Sequence, residues 1–274
     1  MSNLVSTQWL ADHLYTDDLV ILDASWHLPS AKRDARAEFT AAHIGGARFF
    51  DLDKVSDQTS TLPHMLPTPQ AFTSSMAALG INSTSHVIAY DSVGLFSAAR
   101  CWWMFKTFGH DAVSVLDGGL KKWLAEGRAV QSGELPLPPS ENFTAKFNSG
   151  MVRNMAKVAE GKAQVADARS PARFRGEEPE PRPGVKPGHM PGARNVHYAS
   201  LLNVDGTLKP QAELMQHFAS AGIDVEKPVT TSCGSGVTAA ILSLALTELG
   251  TKDHALYDGS WAEWGASGNK IELG

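Results

Sequence analysis

The sequence predicts an α/β fold made twice: two tandem domains, each a parallel sheet with helices on both faces. Three observations predict it. Short β-branched runs alternate with amphipathic helical patterns along the whole chain, the order of elements that a helix-covered parallel sheet requires. The second half repeats the first, motif for motif. The length, 274 residues, is long for one compact domain and comfortable for two, each able to bury its own core.

The repeat can be followed element by element. Val20-Ile21-Leu22-Asp23-Ala24 reads as a buried strand ending in an acid, and Gln164-Val165-Ala166-Asp167-Ala168-Arg169 reads the same way. His43-Ile44-Gly45-Gly46-Ala47-Arg48 is answered by His189-Met190-Pro191-Gly192-Ala193-Arg194. Helical patterns follow at residues 69–79 and 211–221. The strand Val87-Ile88-Ala89-Tyr90-Asp91, with a helix from about Leu95, matches Val229-Thr230-Thr231-Ser232-Cys233, with a helix from about Val237. Leu116-Asp117-Gly118-Gly119 with Trp123 mirrors Tyr257-Asp258-Gly259-Ser260 with Trp264. Between the halves, Leu135-Pro136-Leu137-Pro138-Pro139-Ser140 reads as a semi-rigid linker. The boundary falls within residues 131–150, giving a first domain over 1–135 and a second over 150–274.

Composition narrows the function. With 43% hydrophobic and 19% charged residues the chain is globular, and a net charge of -5 gives no reason to expect a nucleic acid partner. Two cysteines, Cys101 and Cys233, cannot build a disulfide framework in a chain of this length. There is no CxxC pair and no His/Cys cluster with metal-ligand spacing, so no metal is expected, and chemistry carried by a free thiol requires no organic cofactor. Residues 1–14 lack the basic start and apolar core of a secretory signal. The longest apolar stretch, around residues 237–246, is too short to span a bilayer, so no membrane association is expected. These features point to the cytoplasm, where a free thiol stays reduced. The paired His43 and His189 recur in both halves, which favours a structural role for them; Trp123 and Trp264 read as repeat packing. Cys101, in the helical and aromatic run Ala98-Ala99-Arg100-Cys101-Trp102-Trp103, reads as a buried structural cysteine.

The chemistry is expected where strand 229–232 meets the next helix. There the loop Cys233-Gly234-Ser235-Gly236-Val237-Thr238 runs into Ala239. Gly234 and Gly236 permit backbone conformations that turn successive N–H groups towards Cys233. The helix that follows adds the positive end of its dipole. Both favour a thiolate, or a persulfide anion. In the first half Asp91 stands where Cys233 stands, so thiol chemistry is confined to the second half. A cysteine phosphatase would also wrap a thiolate in N–H groups, but it needs an arginine after five intervening residues to clamp phosphate. That position holds Ala239, and the phosphatase reading fails there.

With these residues in view, the chain resembles the tandem rhodanese-domain sulfurtransferases over nearly its whole length. The resemblance rests on the Cys233–Thr238 loop, Tyr257-Asp258-Gly259-Ser260-Trp261, Gly188-His189-Met190-Pro191-Gly192 and Glu178-Pro179-Glu180-Pro181-Arg182. In the first half it rests on Phe49-Phe50-Asp51, His64-Met65-Leu66-Pro67 and Trp102-Trp103-Met104-Phe105. Thiosulfate-preferring members place basic residues after the cysteine. Gly234 and Ser235 stand there, as in the branch that prefers 3-mercaptopyruvate. The resemblance implies two rhodanese-like domains with Cys233 as the working residue, Arg173 and Arg182 on the donor's carboxylate and ketone, and the loop residues Gly234, Gly236, Val237 and Thr238 around the sulfur. It also implies a relay of Ser235, His64 and Asp53.

The expected reaction is attack of the Cys233 thiolate on the donor's sulfur, giving a persulfide and pyruvate, then transfer to a second nucleophile: a small thiol, cyanide, or a thiol protein such as thioredoxin. Two alternatives stand beside it: a thiosulfate sulfurtransferase, and a sulfur-carrier module that is loaded by a partner and needs the same loop but not Arg173 and Arg182.

Overall fold

The computed structural model describes residues 2–134 and 136–274; Met1 and Leu135, the residue that opens the proline-rich stretch, lie outside the described residues. Among these, ten strands form two sheets of five, every pairing parallel. The first sheet is built from β1 (Leu4–Val5), β2 (Leu19–Asp23), β3 (Arg48–Phe49), β4 (His86–Tyr90) and β5 (Val113–Leu116), in the order β1-β5-β4-β2-β3. The second uses β6 (Val152–Arg153), β7 (Gln164–Asp167), β8 (Arg194–Asn195), β9 (Val229–Ser232) and β10 (His254–Tyr257), in the order β6-β10-β9-β7-β8. Strand for strand, the second sheet repeats the topology of the first.

The sequence dictates this arrangement through burial. Central strands such as β4 and β9 are buried along nearly their whole length, which is why they read as unbroken β-branched or apolar runs rather than as alternating ones. The helix after β4, Ala98–Thr107, buries nine of its ten residues, and the helix after β9, Ala239–Glu248, buries eight of ten. Helices this enclosed have no solvated face, so they carry no polar stripe. Both begin two to three residues later than the periodicity predicts, because the intervening residues are committed to the loops that precede them.

The duplicated motifs do the same structural job in each half. His43 stacks on Phe39 and its Nδ1 meets the Phe39 carbonyl at 2.8 Å; His189 stacks on Phe174 and meets the Phe174 carbonyl at 2.9 Å. Trp123 and Trp264 are both buried in their cores, each indole N–H donating to a carbonyl six residues on, Ala129 and Lys270. Cys101 is fully buried, and burial pushes its thiol well above the ordinary pKa. No helix among the described residues is long and apolar enough to cross a membrane.

The chain divides into two compact units, and the division is not a single cut. The first unit comprises residues up to Gln58, Pro67–Asn148 and Val204–Leu208; the second comprises Thr59–Leu66, Ser149–Asn203 and Lys209–Gly274. Residues 136–148, within the range where the boundary is expected, belong to the first unit. Phe143 is the reason: it is buried against Phe72, Phe105 and His110. Backbone bonds from Lys146 N to Phe108 O (2.7 Å) and Asn148 N to Thr107 O (2.8 Å) extend the attachment.

A short segment of each half belongs to the other half's unit. Residues Val204–Leu208 are held in the first unit by Lys121 Nζ on the Val204 carbonyl (2.7 Å) and by Leu208 N on Asp117 Oδ1 (2.8 Å). Gly206 lies so close to Gly94 that a Cβ on Gly94 would come within 3.0 Å of the Gly206 Cα. Residues Thr59–Leu66 make the reciprocal crossing.

Candidate active site

Cys233 leaves the carboxyl end of β9 with its main chain tied down on three sides. Its carbonyl accepts from Trp261 N (2.9 Å), the next carbonyl, of Gly234, accepts from Ala262 N (2.9 Å), and its own N–H donates to Ser260 Oγ (3.3 Å). The Ser260 hydroxyl in turn donates to the Tyr257 carbonyl at 2.8 Å. Ser260 pays for this position with a left-handed backbone, φ 48°, which a side chain disfavours. In the first half the corresponding residue is Gly119, with φ 53°. The serine is therefore kept in a glycine's conformation where its hydroxyl serves the cysteine.

The first half shows what this loop does electrically. Asp91, the counterpart of Cys233, turns its carboxylate into its own loop. There Oδ1 accepts from Val93 N (2.9 Å) and Gly94 N (3.0 Å), and Oδ2 from Phe96 N (2.7 Å), Ser97 N (2.9 Å) and Ala98 N (2.9 Å). Five N–H groups thus converge on one buried anion, a nest built by the loop and the first turn of the helix. The matching groups in the second half belong to Ser235, Gly236, Thr238, Ala239 and Ala240. Those of Ser235, Thr238 and Ala239 have no acceptor among the described residues, since Cys233 has no carboxylate to offer. Gly236 keeps the left-handed turn, φ 79°, that Gly94 makes in the first loop. Cys233 is 2% exposed, Val237 is buried, and Thr238, half-buried, precedes the helix Ala239–Glu248.

His64 reaches this loop. Its Nδ1 lies 3.0 Å from Ser235 Oγ, and both side chains are buried. The segment that carries it belongs to the second unit and is anchored by Leu66 N donating to Asp258 Oδ2 (2.8 Å). His64 also has a left-handed backbone, φ 59°, so two of the three non-glycine residues with positive φ among those described, His64 and Ser260, touch the cysteine loop. Asp53 belongs to the first unit, where its carboxylate accepts from Trp26 Nε1 at 3.3 Å.

Arg173 sits on the short helix Pro171–Arg175, which Ser170 caps and Gly176 ends in a left-handed turn. Its guanidinium lies against the loop: a Cβ on Gly234 would be 3.0 Å from Nη2. Glu180 holds it there, accepting from Nε (3.3 Å) and Nη2 (2.5 Å). The same carboxylate accepts from Arg169 Nη1 (2.9 Å). Arg169 is buried, paired with Asp167 (2.7 Å), donating to the Gly188 carbonyl (2.9 Å) and stacked over the Trp261 ring. Burial opposes its charge, but Asp167 and Glu180 outweigh that and hold the guanidinium above its ordinary pKa. Arg182 lies in the following turn, half-buried, its carbonyl accepting from Val185 N.

The structure thus brings Cys233, Ser235, His64 and Arg173 to one loop, with Arg182 a few residues beyond Glu180. Two residues that sequence reasoning left without a role emerge beside them. Glu180 lies inside the motif 178–182, and its signal was an acid set between prolines and close to two arginines. Ser260 could have been found by laying the repeats over each other, since it replaces a glycine. Among the described residues no three His, Cys, Asp or Glu side chains are grouped to hold a metal ion.

Comparison with known proteins places the chain in a family. Residues 6–126 and 153–267 each match the rhodanese-like domain. A human 3-mercaptopyruvate sulfurtransferase is 44% identical over 271 residues, covering 95% of this chain and 91% of its own. The 3-mercaptopyruvate sulfurtransferase of Escherichia coli K12 is 45% identical over 267 residues, covering 96% and 94%. The crystal structure of SseA from Escherichia coli superposes with a TM-score of 0.87 at 42% identity, over 95% of this chain and 99% of that one.

Proposed function

This chain belongs to the rhodanese family, and from that premise we propose that it is a sulfurtransferase taking sulfur from 3-mercaptopyruvate onto Cys233. What carries the reading is the loop at Cys233: its twin in the first half holds a carboxylate with five N–H groups, and the N–H groups of Ser235, Thr238 and Ala239 stand at three of those places behind the cysteine. A loop that accommodates an anion so fully favours the thiolate, and equally the persulfide anion that sulfur transfer creates.

The steps follow from the side chains. The Cys233 thiolate attacks the donor's sulfur. A new S–S bond forms as the C–S bond breaks, and its electron pair passes to carbon as the enolate of pyruvate. Arg173 and Arg182 bind the donor's carboxylate and ketone oxygen, where planar guanidinium forks suit two oxygens and oppose the developing charge. Ser235 and His64 move the proton from the donor's thiol to the enolate carbon, releasing pyruvate. The resemblance assigns Asp53 to the same relay. An acceptor thiol, cyanide, or a thiol protein such as thioredoxin then takes the outer sulfur and returns the thiolate, a two-step covalent cycle with ping-pong kinetics. A reducing cytoplasm suits an enzyme whose cycle starts from a free thiol.

The test is a steady-state comparison of 3-mercaptopyruvate with thiosulfate, using one thiol acceptor and a Cys233→Ser control. Preference for mercaptopyruvate, with pyruvate released and the control dead, is expected. Turnover surviving in the control would remove Cys233 from the mechanism, and preference for thiosulfate would overturn the donor.

A further inference from the structure

The four charged side chains behind the loop form a closed set. Asp167 pairs with Arg169, Arg169 with Glu180, and Glu180 with Arg173, so two carboxylates meet two guanidiniums and their formal charges cancel. The side chains of Asp167, Arg169 and Glu180 are nearly sealed from solvent, at 0%, 1% and 3% exposure, while Arg173 keeps 20%. Arg173 is therefore the one member that faces outward, towards Gly234. Its Nε and Nη2 are spent on Glu180, and Nη1 has no partner among the described residues.

From this we infer that Glu180 is a positioning residue that sets donor charge: it aims Arg173 at the loop and cancels its charge, so that the site favours a donor with one negative charge over one with two. The inference rests on the donor site proposed above. Arg173 keeps its directional hydrogen-bond donors but brings no net charge from the quartet. The share of binding that Arg173 supplies then depends on fit to a carboxylate rather than on attraction to charge. A site that presented Arg173 uncompensated would reward a dianion such as thiosulfate twice as strongly as a monoanion, because Coulomb energy is linear in the donor's charge. The uncharged Gly234 and Ser235 next to the sulfur act in the same sense. Glu180 is the nearest residue at which a single substitution removes the compensation while leaving Arg169 its bond to Asp167.

The experiment measures kcat and KM for 3-mercaptopyruvate and thiosulfate in the wild type, Glu180→Gln and Glu180→Asp. Glutamine keeps an oxygen for Arg173 and removes the charge; aspartate keeps the charge and shortens the reach. The Gln variant should raise the thiosulfate-to-mercaptopyruvate ratio of kcat/KM roughly ten-fold, through KM for thiosulfate, as one added unit charge acting on one extra donor charge in a partly solvated site implies. The Asp variant should raise KM for both donors and leave the ratio unchanged. An unchanged ratio in Glu180→Gln, or an equal change in Glu180→Asp, overturns the inference. Should Glu180→Gln fail to fold, salt decides with Glu180 intact. With Arg182→Gln in the background, so that Arg173 alone faces the donor, a near-neutral quartet predicts that KM for thiosulfate changes less than about three-fold between low and physiological ionic strength, and a steep rise overturns it. A wild type inactive with 3-mercaptopyruvate would instead sink the donor assignment.

Discussion

Ser235 Oγ and His64 Nδ1 stand 3.0 Å apart, although 171 residues separate them in sequence, and each is held by a backbone that fixes where it points. Ser235 lies two residues after the cysteine, inside the glycine-flanked turn. His64 occupies a left-handed conformation on a segment anchored through Leu66. A hydroxyl hydrogen-bonded to an imidazole is a proton conduit, and the pair should act as one unit. Replacing either Ser235 or His64 with alanine is expected to lower kcat about 100-fold, with the double variant little worse than the poorer single. Stopped-flow measurement of pyruvate release gives the comparison; fully additive losses would show that the two act separately.

Gly234→Ala probes the approach of Arg173. The added methyl would sit 3.0 Å from Nη2, closer than a side-chain nitrogen tolerates without moving. Because Glu180 holds that guanidinium from behind, the few tenths of an ångström that it must give push it out of line with the loop. KM for the donor should rise several-fold, while the melting temperature shifts little, since the glycine's φ lies outside the left-handed range. An unaltered KM would mean that Arg173 does not contact the donor.

Asp91→Ala tests the filled nest of the first half. Removing the carboxylate strips five N–H groups of their acceptor in a buried loop. Orphaned buried donors cost about 1–3 kcal/mol where water cannot replace the partner, so a total loss of about 3 kcal/mol or more is expected in urea unfolding. Asp91→Asn, which retains an oxygen, should lose less. Loss under about 1 kcal/mol in the alanine variant would mean that the nest is not stabilised by its anion.

Asp23 makes stability depend on pH. It ends β2, is 1% exposed, and burial raises its pKa from 3.8 to about 6, against the opposing hydrogen bonds from Ser25. The folded chain therefore holds a proton on Asp23 that the unfolded chain has released between about pH 4 and 6. This group's contribution is fully favourable below pH 4 and is lost as pH rises through about 6, a change of about 3 kcal/mol. Asp23→Asn should flatten the curve in that window, gaining stability relative to the wild type at pH 7. A difference curve without slope between pH 4 and 6 would show that Asp23 is not protonated in the folded state.

Most of the architecture was legible because parallel sheets buried on both faces write themselves as apolar runs, and the repeat confirmed each run with a second copy. Val87–Tyr90 and Val229–Ser232 needed nothing else. The edge strands Leu4–Val5, Arg48–Phe49, Val152–Arg153 and Arg194–Asn195 left no such trace, since two residues carry no periodicity and their pairing comes from the neighbouring strand. Of the candidate site, the cysteine loop was readable because glycines and a thiol are local signals. Glu180 and Ser260 were not, because their roles lie in partners: the guanidiniums of Arg169 and Arg173 for one, the N–H of Cys233 for the other. Nothing in Leu62-Pro63-His64-Met65 announces that the histidine will meet a serine from the other half.

The crossing of residues 59–66 into the second unit and 204–208 into the first has a historical meaning. Two copies of a gene segment that each kept their own pieces could later be separated, shuffled or lost singly. Here the thiol-bearing second half depends on the first for its histidine, and the first half depends on the second for the segment against Gly94. A polypeptide beginning at residue 149 would carry the nucleophile and lack its proton partner. Each half thus carries a piece of the other's unit, and the half without a cysteine supplies the histidine at the cysteine loop.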